Sequence, residues 1–103
     1  MILLYHEEVR LFIRTLEKST QSKTLRGLDL LEKYGMSVGL PHVKKVTRML
    51  YELRIRGVQE IRIFFVSQQS RIVLLHGFIK KSQKIPQKEI RVAQKRWEML
   101  TRI

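Results

Sequence analysis

The chain has 103 residues, 44% of them hydrophobic, and carries twenty-one Lys and Arg against nine Asp and Glu for a formal charge of +12. That length holds one domain and hardly two, so residues 1–103 read as a single unit, and recurrent apolar spacing argues against disorder despite the charge. There is no cysteine, which excludes disulfides and thiolate metal ligands, and His6, His42 and His76 stand apart without metal-ligand spacing, so neither metal nor cofactor is expected.

The opening Met1-Ile2-Leu3-Leu4-Tyr5 is apolar but stops at His6-Glu7-Glu8, too short for a signal-peptide core or a membrane span. The expectation is a cytoplasmic protein with no membrane partner. From Val9 to Leu16, the residues Val9, Phe12, Ile13 and Leu16 recur at steps of three and four, which predicts a first helix. Polar Ser19 to Ser22 interrupt that pattern and offer caps for a second helix, whose stripe is Leu25, Leu28, Leu31 and Tyr34 and whose end is Gly35.

Residues 35–48 contain two Gly and a Pro with no sustained period and read as a connection. The period then becomes two: Tyr51, Leu53 and Ile55 alternate with Glu52, Arg54 and Arg56, as in a half-buried strand with a charged outer face. Ile61 to Val66 and Ile72 to Ile79 read as two more strands. The short polar linker between them predicts an antiparallel hairpin, and the all-apolar last run predicts an interior strand. After the basic loop Lys80 to Pro86, a final amphipathic helix sets Ile90, Ala93, Trp97 and Leu100 opposite Lys88, Arg91, Lys95 and Arg102. The predicted class is α/β in the α+β sense: two N-terminal helices on a mostly antiparallel sheet of three to four strands, plus a C-terminal helix.

The charge is uneven. Residues 54–103 hold twelve basic and three acidic side chains, against nine and six in residues 1–53, and such an excess calls for an anionic partner. Strand parity puts Arg54, Arg56 and Arg62 on one face if the register allows, next to Lys80, Lys81 and Lys84. Guanidinium forks suit phosphate oxygens, so this cluster reads as a phosphate-binding surface. Any one of these arginines taken alone reads more simply as part of a solvated sheet face.

RNA can be cut without a metal when its own 2′-hydroxyl attacks the neighbouring phosphate. A protein must then align the atoms, accept a proton, neutralise the phosphorane-like charge and protonate the leaving oxygen. Arg54, Arg62, Lys80, Lys81 and Lys84 suit the charge work. For proton transfer the candidates are His76 and a crowded lysine such as Lys80 or Lys81, although a histidine in a packed sheet is more often a satisfied core residue. Further RNA contacts are expected from Arg56, His42, Lys44, Lys45 and Lys88. Tyr51 and Phe78 could stack on bases, but their neighbours favour core packing, and Trp97 belongs to the core or to a partner interface.

Leu50-Tyr51-Glu52-Leu53-Arg54, Ile61-Arg62-Ile63-Phe64-Phe65 and above all the stretch from His76 to Pro86 resemble the phage-derived HigB branch of the RelE/ParE toxin superfamily. Leu30 to Gly35 and Pro41 to Lys45 resemble it too, so the similarity runs from about Val9 through the last helix. It implies a type II toxin that cleaves mRNA in the A site of the 70S ribosome and is held by a HigA-like helix-turn-helix antitoxin. It also implies that the basic residues of the sheet and of the following loop, here Arg54, Arg62, Lys80, Lys81 and Lys84, do the work. Related chains begin with a strand, for which Ile2 to Tyr5 is available here. Met49 and Ile61 depart from the Gly and the aromatic common at those places. Two other readings compete: a non-catalytic RNA- or ribosome-binding module, and a ParE-like inhibitor of DNA gyrase.

Overall fold

A computed structural model describes residues 1–39, 41–84 and 86–102. The element order is β1 (Ile2–Tyr5), α1 (Glu7–Arg14), α2 (Lys18–Tyr34), a 3-10 turn (Gly35–Val38), β2 (Val43–Lys45), β3 (Tyr51–Ile55), β4 (Ile61–Gln68), β5 (Arg71–Ile79) and α3 (Gln87–Thr101). The strands form one mixed sheet in the order β1-β5-β4-β3-β2. All neighbours are antiparallel except β1, which runs parallel to β5. The α+β class and its mostly antiparallel sheet match the RelE-like expectation, with five strands in place of three to four.

The additional strand is β2, which lies inside the segment read as a connection. Its three residues pair with Tyr51 to Leu53 and are too few to show a period. The segment Ile2 to Tyr5 does serve as the first strand. β4 is the centre of the sheet and β5 its neighbour, so both are interior, and Ile61 to Val66 are buried without a break. The β4–β5 connection is a two-residue turn at Gln69 and Ser70, shorter than the linker read from sequence.

Alternation along the strands divides the core between two faces. On one, Leu53, Ile55, Ile61, Ile63, Phe65, Ile72 and Leu74 pack under Val9 and Ile13 of α1 and Leu28 and Leu31 of α2. On the other, Leu50, Phe64, Val66, Leu75 and Phe78 pack under Ile90 and Ala93 of α3, flanked by Trp97. Leu100 is exposed, so the buried stripe of α3 ends at Trp97.

The start of α2 also differs from the expectation. The helix begins at Lys18 and includes Ser19 to Ser22; its buried positions are Thr20, Thr24, Leu28 and Leu31, while Leu25 and Tyr34 are exposed. Thr24 Oγ1 donates to the Thr20 carbonyl at 2.8 Å, so the Thr24 hydroxyl is satisfied within the helix and can be buried. Gly35 ends α2 as expected, at φ +56°, a region that costs a β-carbon strain.

Gly77 lets α1 lie flush on β5: a β-carbon there would sit 2.6 Å from Phe12 Cδ2. Gly77→Ala is expected to destabilise the protein by about 1–3 kcal/mol through overpacking. A lowered urea midpoint at unchanged slope would show it, and an unchanged midpoint would mean that Phe12 yields freely.

Candidate functional site

The β3–β4 register sets Arg54 directly opposite Arg62. Their strand neighbours Leu53 and Ile63 point to the α1/α2 side, so both arginines project to the α3 side. There the wall is made by the loop after β5 and not by α3 itself. Arg54, Arg56 and Arg62 share a cleft of about 350 Å³ with Glu60, Lys80, Lys81, Ser82 and Gln83. The backbone N–H of Lys80 donates to the Glu60 carbonyl at 2.8 Å, which fixes the loop against the hairpin.

Two carboxylates hold the guanidinium groups. Glu52 is buried, and its Oε1 lies 3.5 Å from Arg54 Nε and 3.8 Å from Arg62 Nε. Neither Nε has a partner within hydrogen-bond range although both are buried. Glu60 Oε1 lies 3.3 Å from Arg62 Nη2 and 3.5 Å from Arg56 Nη1. Arg62 Nη1 donates to the Ile61 carbonyl at 3.1 Å. The Arg62 side chain is only 4% exposed, so it has little access to a ligand. Arg54 is 19% exposed and Arg56 58%, which leaves these two, with half-buried Lys80 and exposed Lys81, to present charge to a ligand.

The charged face of β3 is therefore not the solvated surface expected from its alternation, because the sheet is covered on both sides and Glu52 is enclosed. Glu52 and Glu60 had no candidate role in the sequence reading. The signal for both was present, since each stands two residues from one arginine and four from another.

The other predicted residues lie elsewhere. Lys84 and Lys88 are exposed and do not line the cleft. Lys44 is paired with Glu52 and so shares the site's face of the sheet, whereas Lys45 is on the opposite face with its Nζ 5.9 Å from the centre of the Tyr51 ring. The His42 carbonyl accepts from the Arg54 N–H at 2.7 Å, and His42 lines a second groove that shares Arg54 and Arg56 with the cleft. Phe78 packs edge-on against Phe64 and Tyr51 stacks on Phe65, so both belong to the core as expected.

His76 is not in the cleft. Its Nε2 is 2.7 Å from Glu89 Oε1, and its Nδ1 is 3.2 Å from Arg96 Nη1, which also donates to the Leu75 carbonyl at 2.9 Å. The arrangement fits a neutral ring whose Nε2–H donates to Glu89 while Nδ1 accepts from Arg96, so both nitrogens are engaged in fastening α3 to β5. That geometry argues against the sequence reading of His76 as a proton carrier at the arginine cleft.

Burial lowers the His76 pKa, aided by Arg96 and His6, and this outweighs the opposing pull of Glu89. With the folded value below the unfolded one, the unfolded chain binds the extra proton first as pH falls. Stability is thus expected to be intact above the unfolded value of about 6.5, to fall as pH drops through it, and to level off below the lowered folded value. His76→Gln should flatten that slope in urea titrations across the interval; an unaltered slope would refute the assignment.

Among the described residues no helix is long and apolar enough to cross a membrane. Residues 11–98 match the family model described as phage derived protein Gp49-like (DUF891). No curated protein matches the chain.

Proposed function

The chain belongs to the phage-derived Gp49-like family, whose members are often toxin-like, and from that premise we propose that it is a HigB-type toxin, a ribosome-dependent endoribonuclease that cuts translated mRNA. The observation that carries the reading is the clustering of Arg54, Arg56, Lys80 and Lys81 in one open cleft around the buried Glu52–Arg62 pair. Four cations at the mouth of a cleft offer a phosphodiester more charge stabilisation than a folded protein needs for itself.

In this reading the cations hold the scissile phosphate while the 2′-oxygen attacks phosphorus. The 2′-hydroxyl proton leaves, the bond to the 5′-oxygen breaks, and that oxygen takes up a proton, giving a 2′,3′-cyclic phosphate and a 5′-hydroxyl. Glu60 is the carboxylate lining the cleft and stands as the proton acceptor; Lys80 or Lys81 is the donor to the leaving oxygen. Arg62, with its donors turned inward, is a positioning residue that orients Glu60 and Glu52. The toxin-like family suggests an antitoxin partner, and a HigA-like helix-turn-helix protein encoded nearby belongs to the same proposal, as does action in the cytoplasm.

Purified protein added to a defined translation system tests this. The expected result is cleavage of the reporter mRNA only upstream of its stop codon, with cyclic-phosphate ends and no cut in the same mRNA without ribosomes. Ribosome binding without cleavage would favour the non-catalytic module, and loss of gyrase supercoiling would favour the ParE-like reading.

A further inference from the structure

Past the β2–β3 pairing and the bond from the Arg54 N–H to the His42 carbonyl, the chain at Ile55 and Arg56 runs beside α2. A groove lies there with a floor of Gly27, Leu30, Val38 and Ile55 and a rim of Lys23, Arg26, His42, Arg54 and Arg56. No carboxylate lines it among the described residues. Neither Lys23 nor Arg26 forms an ion pair among those residues. Lys23 is drawn over the β3–β4 hairpin, with its Nζ 2.8 Å from where a Gly57 side chain would begin. Arg54 and Arg56 line both this groove and the cleft, so one path of positive charge joins them.

We infer that this groove binds the nucleotide adjoining the scissile phosphate of a single-stranded RNA, its base on the apolar floor and its phosphate on Lys23 and Arg26. The inference rests on the nuclease reading and adds to it a site on α2. The volume of about 170 Å³ is near the roughly 150 Å³ at which an apolar protein cavity accepts a benzene ring, so the groove takes one six-membered base. An apolar floor with a cationic rim and no carboxylate is complementary to a base flanked by phosphates, and His42 on the rim supplies a ring for stacking.

The test is fluorescence anisotropy with a uniformly 2′-O-methylated RNA hexamer, which cannot be cut, and with versions carrying one abasic position in turn. Lys23→Ala with Arg26→Ala should weaken binding roughly tenfold and lower the salt slope by about 0.7, the loss of one phosphate contact on a single strand. Wild type should lose about tenfold at one abasic position. Leu30→Glu, at an exposed site that folding tolerates, should erase that difference between intact and abasic strands. An unchanged affinity and slope in the double variant, or indifference to every abasic position, would overturn the groove. If either occurs while Arg54→Ala with Lys80→Ala still abolishes cleavage, the groove alone falls. If wild type binds the hexamer at no salt concentration, the groove falls, and cleavage on programmed ribosomes alone decides the nuclease reading.

Discussion

Replacing Arg54 and Lys80 together with alanine is expected to lower the rate of RNA cleavage by about 10²–10³-fold or more, the effect of removing preorganised charge from a developing oxyanion. These two are the informative pair because they can be removed without unfolding the protein. Arg54 is partly exposed and only loosely held by Glu52 at 3.5 Å, and Lys80 has no ion pair among the described residues, its fixed contact being made by the backbone. Arg62 would be the wrong choice for this purpose, since its side chain is buried and its loss would leave a void under the cleft. The measurement is single-turnover cleavage on programmed ribosomes, with circular dichroism to verify the fold. A double variant that folds and cuts at the wild-type rate would remove the cleft from the chemistry.

Glu52→Ala should cost about 3 kcal/mol of stability, the low end of the range for removing one partner of a buried ion pair because Arg54 retains some access to water. The carboxylate is the shared counter-ion of two guanidinium groups whose Nε atoms have no hydrogen-bond partner. Without it Arg62, at 4% exposure, would keep only Glu60 and a carbonyl. Glu52→Gln should lose less, since it preserves shape and an oxygen acceptor but not the charge. Urea unfolding distinguishes the two variants; equal stability of Glu52→Ala and wild type would mean that Arg54 and Arg62 reorganise to reach solvent.

Much of the site could be read from the period of β3. A strict alternation of two fixes which side chains of one strand share a face, so Arg54 and Arg62 fall together only if the register allows, and the β3–β4 register does set them opposite each other. What alternation could not give is what covers that face. Glu52 falls on the charged outer side by its parity, and only its burial beside Arg54 and Arg62 shows it enclosed. The His76 contacts were hidden for the same reason, because Glu89 and Arg96 meet it across thirteen and twenty residues of sequence. In α2, hydroxyl residues looked like a break, yet the Thr24 hydroxyl finds its partner in the Thr20 carbonyl one turn back in the helix. The three residues of β2 are too few to carry a pattern.

Mapping mRNA 5′ ends genome-wide in a bacterial host, after induced expression of wild type beside Arg54→Ala with Lys80→Ala, tests the central claim most directly. The account predicts growth arrest with new 5′-hydroxyl ends inside translated frames for wild type, and neither for the variant. Growth arrest without new ends, or ends that persist in the folded double variant, would contradict it.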